Sequence, residues 1–195
     1  MKLVLASRSP RRQLLLREAG YEPCVTPSPI DEQLLVQGRV GPEAWVLSLA
    51  YIKAWSTIGQ MTKQKDIVVL GADTLCVLNG KCIGQPKDRA EAYGMINHLQ
   101  GNVHQTVTGV CLLSHNHFSR QFFFDSSRVN IGPISQEVIE HYVQTDAWQG
   151  KAGAYNLSER QAAGWPIDVD GDPTTVMGLP MERLAPWLDR IGVNS

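Results

Sequence analysis

The chain has 195 residues, enough to bury most of its apolar side chains in one domain without disulfide staples. Eighteen basic residues stand against nineteen acidic ones, for a formal charge of −1. That balance gives no global field for coating a polynucleotide, so any anion must be met by a local cluster. Four cysteines, Cys24, Cys76, Cys82 and Cys111, form no CxxC pair. They predict reduced thiols in a cytoplasmic protein, and no apolar run approaches the length of a signal-peptide core or a membrane span.

The chain opens as strand, turn, helix: apolar Leu3-Val4-Leu5-Ala6, polar Ser7-Arg8-Ser9, then Pro10 at a first helical position and Gly20 as a stop. After Pro27-Ser28-Pro29, Gly41-Pro42 opens a second helix through Trp45, Val46, Leu49 and Ala50 to about Ala54. Residues 67–70, Ile-Val-Val-Leu, predict a short central strand that ends at Gly71-Ala72-Asp73-Thr74. Asn79-Gly80 between residues 75–78 and 81–83 predicts a hairpin, because both turn residues tolerate positive φ. Asp88 caps a helix closed by Gly101, and residues 106–113 and 122–131 read as two longer strands around His115-Asn116-His117. Ser135 caps a helix ending near Gln144, and a Gly- and Asp-rich quarter precedes a final helix started by Pro180. The expected architecture is α/β: a mixed sheet with flanking helices, two-lobed, in a single domain over residues 1–195.

Arg8, Arg11 and Arg12 crowd the start of the first helix, where the macrodipole disfavours cations. Free N–H groups, the Ser7 and Ser9 hydroxyls and forked guanidiniums predict a phosphate cradle, although the segment matches neither GxxxxGK nor GxGxxG. Lys53 sits at the edge of its helix's apolar stripe, either pointing inward to an anion or with its stem running out to solvent. Asp73 is the best single catalytic candidate. A carboxylate at a strand end, after Gly-Ala residues small enough for a ligand to approach, can hold Mg²⁺ or take a proton from water; the alternative is a carboxylate that caps a turn. Asp31-Glu32 is a candidate second carboxylate. The run from Asp168 to Asp172 has its glycine and its closing acid misplaced for a calcium loop and reads as a turn, and His115 with His117 lacks zinc partners.

Together, Leu5-Ala6-Ser7-Arg8-Ser9-Pro10-Arg11-Arg12, Lys53-Ala54, Gly71-Ala72-Asp73-Thr74, Leu99-Gln100-Gly101 with His104, Thr108-Gly109, Lys151-Ala152-Gly153-Ala154-Tyr155 and Gly178-Leu179-Pro180 resemble the Maf family, nucleotide pyrophosphatases also described as septum-formation inhibitor proteins. The resemblance runs nearly end to end and implies a fold similar to the inosine triphosphate pyrophosphatases, with a nucleotide cleft between lobes. It implies cleavage of nucleoside triphosphates to monophosphate and pyrophosphate with a divalent cation, Mg²⁺ or Mn²⁺. Ser7, Arg11, Arg12, Lys53 and Lys151 would contact phosphates, Glu32 and Asp73 would be metal-associated, and Asp73 would accept the proton.

The chain departs from the family pattern at Gln85, where Lys is common before Pro86, and at Gly150, where Asp is common. Ser158 stands where the dTTP/UTP branch carries Gln. Arg11 and Thr74 match that branch, whereas Gly171-Asp172-Pro173 resembles the branch that prefers modified guanine nucleotides, so the base stays open; Thr74, Gln85 and Ser158 are candidate substrate contacts, Gln85 at a position where one phosphate-facing charge is missing unless Lys87 compensates. The expected partners are a nucleoside triphosphate and, as assembly, a homodimer, with no polynucleotide and no membrane. The competing readings are a nucleotide-sensing regulator of cell division with little turnover and, more remotely, a nucleotidyltransferase; fold alone does not separate them.

Overall fold

In the computed structural model, which describes residues 1–61, 66–114 and 120–193, the first apolar run forms β1 (Lys2–Leu5) and Pro10 opens α1 (Pro10–Glu18). Ser9 is the N-cap of α1, its hydroxyl accepting from the Arg12 N–H at 3.4 Å. A short strand β2 (Cys24–Val25), a 3-10 turn (Glu32–Leu34) and the long helix α2 (Pro42–Gly59) follow. The sequence marks no stop after Ala54, and α2 runs one turn beyond the expected end.

The apolar run at residue 67 is the start of a twelve-residue strand, β3 (Ile67–Leu78), so Asp73 lies in mid-strand and not at a strand end as the sequence suggested. Asn79 and Gly80, at φ 51° and 74°, turn β3 into β4 (Lys81–Ile83) as the hairpin signal predicts. Then come α3 (Arg89–Leu99), β5 (Val103–Ser114), β6 (Arg120–Ile131) and α4 (Gln136–Gln144). The turn containing His115 and His117 lies outside the described residues.

The last quarter holds elements the sequence did not announce: a 3-10 turn (Ala152–Ala154), α5 (Leu157–Ala162), β7 (Ile167–Asp170) and α6 (Pro173–Met177), before α7 (Met181–Arg190). The acidic run read as a turn is thus the end of β7, a left-handed Gly171 at φ 113°, and the N-cap of α6, where the Asp172 carboxylate accepts from the Thr174 N–H at 2.7 Å. No helix among the described residues is long and apolar enough to cross a membrane.

The seven strands form one mixed sheet in the order β2-β1-β3-β5-β6-β7, with β4 on β3. β1 is parallel to β2 and β3, and the remaining pairs are antiparallel. Apolar side chains cover both faces of the β1 end of the sheet: α1 and α7 supply Leu15, Leu16, Leu184 and Leu188 to one face, and α2 supplies Ala50, Ala54 and Ile58 to the other. A separate core of Ile96, Leu99, Ile139, Tyr142, Trp148, Tyr155 and Trp165 gathers around the far end, giving the two lobes.

Two glycines set the seat of α2. A Cβ on Gly71 would stand 2.1 Å from the Ala50 carbonyl oxygen, and one on Gly109 would stand 2.6 Å from the Val46 backbone. Both strands therefore need glycine for the helix to lie directly on the sheet, and Gly71 serves this packing where the sequence had suggested approach by a ligand.

Candidate active site

The site forms where the sheet forks. β1 pairs with β3 only as far as Leu70, and β4 takes up the same edge again at Cys76. Between them, residues 71–75 pair on their other side with β5 alone. Into this gap open the loop after β1, the loop of residues 27–32 and the Gly150-Lys151-Ala152 segment, enclosing a cleft of about 900 Å³. Ligands gather at such partings of strands in α/β sheets because loops and helix N-termini converge there.

Because α2 lies so close, Lys53 comes down over Asp73. Its side chain is buried, 6 % exposed, and its ammonium donates to Asp73 Oδ1 at 2.6 Å and pairs with Glu32 Oε2 at 2.8 Å. The inward orientation is thus the correct one, and the anions it meets are the two acids expected to share the chemistry. Glu32, on its 3-10 turn, remains half exposed. Burial pushes the Asp73 carboxyl above its ordinary range, against the opposing pull of Lys53 and Arg12.

The three arginines of α1 have different surroundings. Arg8 is exposed on the rim. Arg12 is buried, and three of its five N–H donors are committed: Nε to the Gly178 carbonyl at 2.9 Å, and the terminal nitrogens to Ser7 Oγ at 3.0 Å and Thr74 Oγ1 at 3.1 Å. Gly178 permits this approach, since it sits at φ 110° and a Cβ there would be 3.3 Å from Arg12 Nε. Thr74 is locked in the same net: Thr108 donates its proton to the Thr175 carbonyl at 2.7 Å, so Thr74 must donate to Thr108 at 2.9 Å. Burial lowers both guanidiniums from their usual value, but Arg12 is countered chiefly by Asp73 and Glu32, and Arg11 by Glu159 and the phenols of Tyr142 and Tyr155. Arg11 therefore reaches toward the second lobe.

That division gives a prediction. Arg12→Ala removes three protein hydrogen bonds and is expected to cost about 1–3 kcal/mol of stability in addition to weakening anion binding, whereas Arg11→Ala should weaken binding with the melting temperature nearly unchanged. Thermal unfolding beside calorimetric titration of the two variants checks it.

On the facing wall, Lys151 pairs with Glu159 at 2.9 Å, and the Asn156 amide donates to the same carboxylate. Burial works against ionisation of Glu159, but these two hydrogen bonds outweigh it and hold the carboxyl below its ordinary value. Ser7, Arg11, Arg12, Lys53, Asp73, Thr74, Gln85, Lys151 and Glu32 all line the cleft. Ser158 does not belong to that lining; it is exposed, and its hydroxyl donates to Asn156 Oδ1 at 3.1 Å. Sequence reasoning missed Thr106, Tyr155 and the Glu159 anchor of Lys151; only the Lys151-to-Tyr155 block pointed near them.

The donor set suits a hard divalent cation. Two carboxylates converge, and no group of three or more His, Cys, Asp or Glu among the described residues could hold a metal alone. Mg²⁺ is ordinarily held by one or two carboxylates together with substrate phosphates, so Glu32 and Asp73 fit that kind of site.

A basic wall, a buried carboxylate beneath it and a helix N-terminus at a fork in an α/β sheet make the chemistry of a phosphate-handling protein. Comparison with known proteins narrows the class. The model of the family described as Maf-like protein matches residues 2–191, and the chain belongs to that family. It is 38 % identical to a dTTP/UTP pyrophosphatase of Pelotomaculum thermopropionicum, over 99 % of this chain and 98 % of the relative. Relatives of the same name from Symbiobacterium thermophilum and Bacillus velezensis are 37 % and 35 % identical, over 98 % and 100 % of this chain and 94 % and 98 % of theirs.

Proposed function

We propose that the chain hydrolyses nucleoside triphosphates between the α and β phosphates, releasing monophosphate and pyrophosphate, with UTP and dTTP as the substrates that the relatives' names suggest. The single observation that carries the reading is Asp73, buried beneath Lys53 beside an arginine-lined helix N-terminus. A carboxylate of raised basicity is a better proton acceptor near neutral pH. With Asp73 Oδ1 bonded to Lys53, we assign Oδ2 to the attacking water.

Ser7, Arg12 and the backbone N–H of Arg11 at the start of α1 would take the terminal phosphates, and the Arg11 and Lys151 side chains would close on them from the two lobes. Each charge-assisted bond gains strength in a partly dehydrated cleft. Lys53 would keep Asp73 ionised and aimed. Mg²⁺ or Mn²⁺ held by Glu32 and Asp73 with phosphate oxygens would supply charge neutralisation on the leaving pyrophosphate.

The test is product identification after incubation with ordinary and modified triphosphates and Mg²⁺ or Mn²⁺. Monophosphate and pyrophosphate are expected, and neither in excess chelator. Nucleoside diphosphate with orthophosphate would place the cut at the γ phosphate and overturn the reading.

A further inference from the structure

The far end of the cleft carries a hydroxyl pair that the hydrolytic chemistry does not use. Thr106 on β5 pairs across the sheet with Cys76 of β3, and Thr106, Cys76 and Tyr155 all line the cleft. Asp73 pairs with Gly109, three residues from Thr106 along β5, which is about 10 Å at the rise of a strand. Thr106 thus lies within a nucleotide's length of the phosphate end, and Tyr155 lines the same cleft.

Behind Tyr155 stands His104, 2 % exposed, with Nε2 at 2.8 Å from the phenol oxygen and the two rings edge to face. His104 Nδ1 is buried and meets no partner among the described residues. Burial depresses the imidazole to about 4, so it is neutral and carries one N–H. An orphaned buried N–H is the rarer and costlier defect, an orphaned lone pair the more tolerable one, so the proton belongs on Nε2 and is donated to the Tyr155 oxygen. Tyr155 must then direct its own proton away from His104, toward the cleft that it lines together with Thr106. The pair thus presents a donor to the cleft.

We propose that Tyr155 and Thr106 read the oxo edge of the nucleobase, favouring oxo bases over amino bases, with His104 as the positioning residue that fixes the direction of the Tyr155 hydroxyl. This rests on the nucleotide reading above and deepens it. A donor set by the protein pairs with a 4-oxo group, and the 4-amino group in the same place would bring donor against donor and leave both unpaired. Sites built to hydrogen-bond one group discriminate strongly against its replacement for this reason.

The test compares UTP with CTP, which differ at that edge, by kcat/KM, and UMP with CMP by calorimetric affinity, in the wild type and in Tyr155→Phe, Thr106→Val, His104→Leu and His104→Gln. Tyr155→Phe is expected to lower the UTP value and the UMP affinity about tenfold, the worth of one hydrogen bond, with CTP and CMP nearly unchanged. His104→Leu should give the same loss of discrimination, the double variant no more, and His104→Gln should recover part of it because its amide can donate to the phenol. A folded Tyr155→Phe with an unchanged ratio, or an equal loss on both nucleotides, overturns the proposal. If His104→Leu fails to fold, Tyr155→Phe and Thr106→Val decide alone. If no nucleotide is hydrolysed while UMP and CMP are still discriminated through Tyr155, the hydrolase reading fails and this one stands.

Discussion

Asp73→Asn is expected to reduce turnover by a factor of ~10² or more, the range for losing a positioned acid or base. The amide keeps the size of the carboxyl and can still accept from Lys53, so the local fold should persist. Stability is expected to fall modestly, because the buried Lys53 ammonium loses its nearer charged partner and keeps Glu32. Nucleotide affinity in the absence of metal should be kept or tightened. The wild-type pH profile follows from the same group: the ionised form accepts the proton, and burial raises the carboxyl above its ordinary range, so activity should fall as pH drops through that raised value. The acid limb should therefore lie higher than for an exposed aspartate and vanish from the residual activity of Asp73→Asn. Rate against pH for both proteins, with melting curves alongside, provides the check.

Lys53→Met should have the largest effect on stability. The ammonium bridges Asp73 and Glu32, and removing one partner of a buried pair leaves an uncompensated charge, at a cost of about 3–5 kcal/mol. Without the cation that opposes burial, the Asp73 carboxyl should rise further and the acid limb shift to higher pH. Turnover should fall at neutral pH and partly recover in alkali. The nucleotide-free protein should bind Mn²⁺ more tightly than wild type, since the ammonium no longer stands between the two carboxylates. Denaturant melts and Mn²⁺ titration test both halves. A Lys53→Met protein as stable as wild type would mean that the pair contributes nothing net, as some buried ion pairs do.

Much of this arrangement is legible in the sequence. The apolar stripe of its helix sets Lys53 at an edge that leaves inward and outward orientations open, and Asp73 is singled out by its position after a continuous apolar run. The role of Gly71 is not legible there, because close approach of a helix to a sheet is a relation between elements distant in sequence; the residue that looks suited to a ligand makes room for Ala50. The mid-strand position of Asp73 was hidden by the small residues that interrupt the apolar run of β3, although they continue the strand. α5, β7 and α6 are four to six residues long, too short to show a period, and are ordered by their neighbours and by caps such as Asp172. The inequality of Arg11 and Arg12 depends on partners as remote as Gly178 and Glu159, which spacing along α1 cannot reveal.

The claim on which the rest depends is that Asp73 drives water onto the α phosphorus and expels pyrophosphate. Hydrolysis of UTP in ¹⁸O-enriched water, with both products analysed by mass spectrometry, tests it most directly. The label should appear in the monophosphate, with none in pyrophosphate, and its incorporation should fall with turnover in Asp73→Asn. Label in pyrophosphate or orthophosphate would contradict the account.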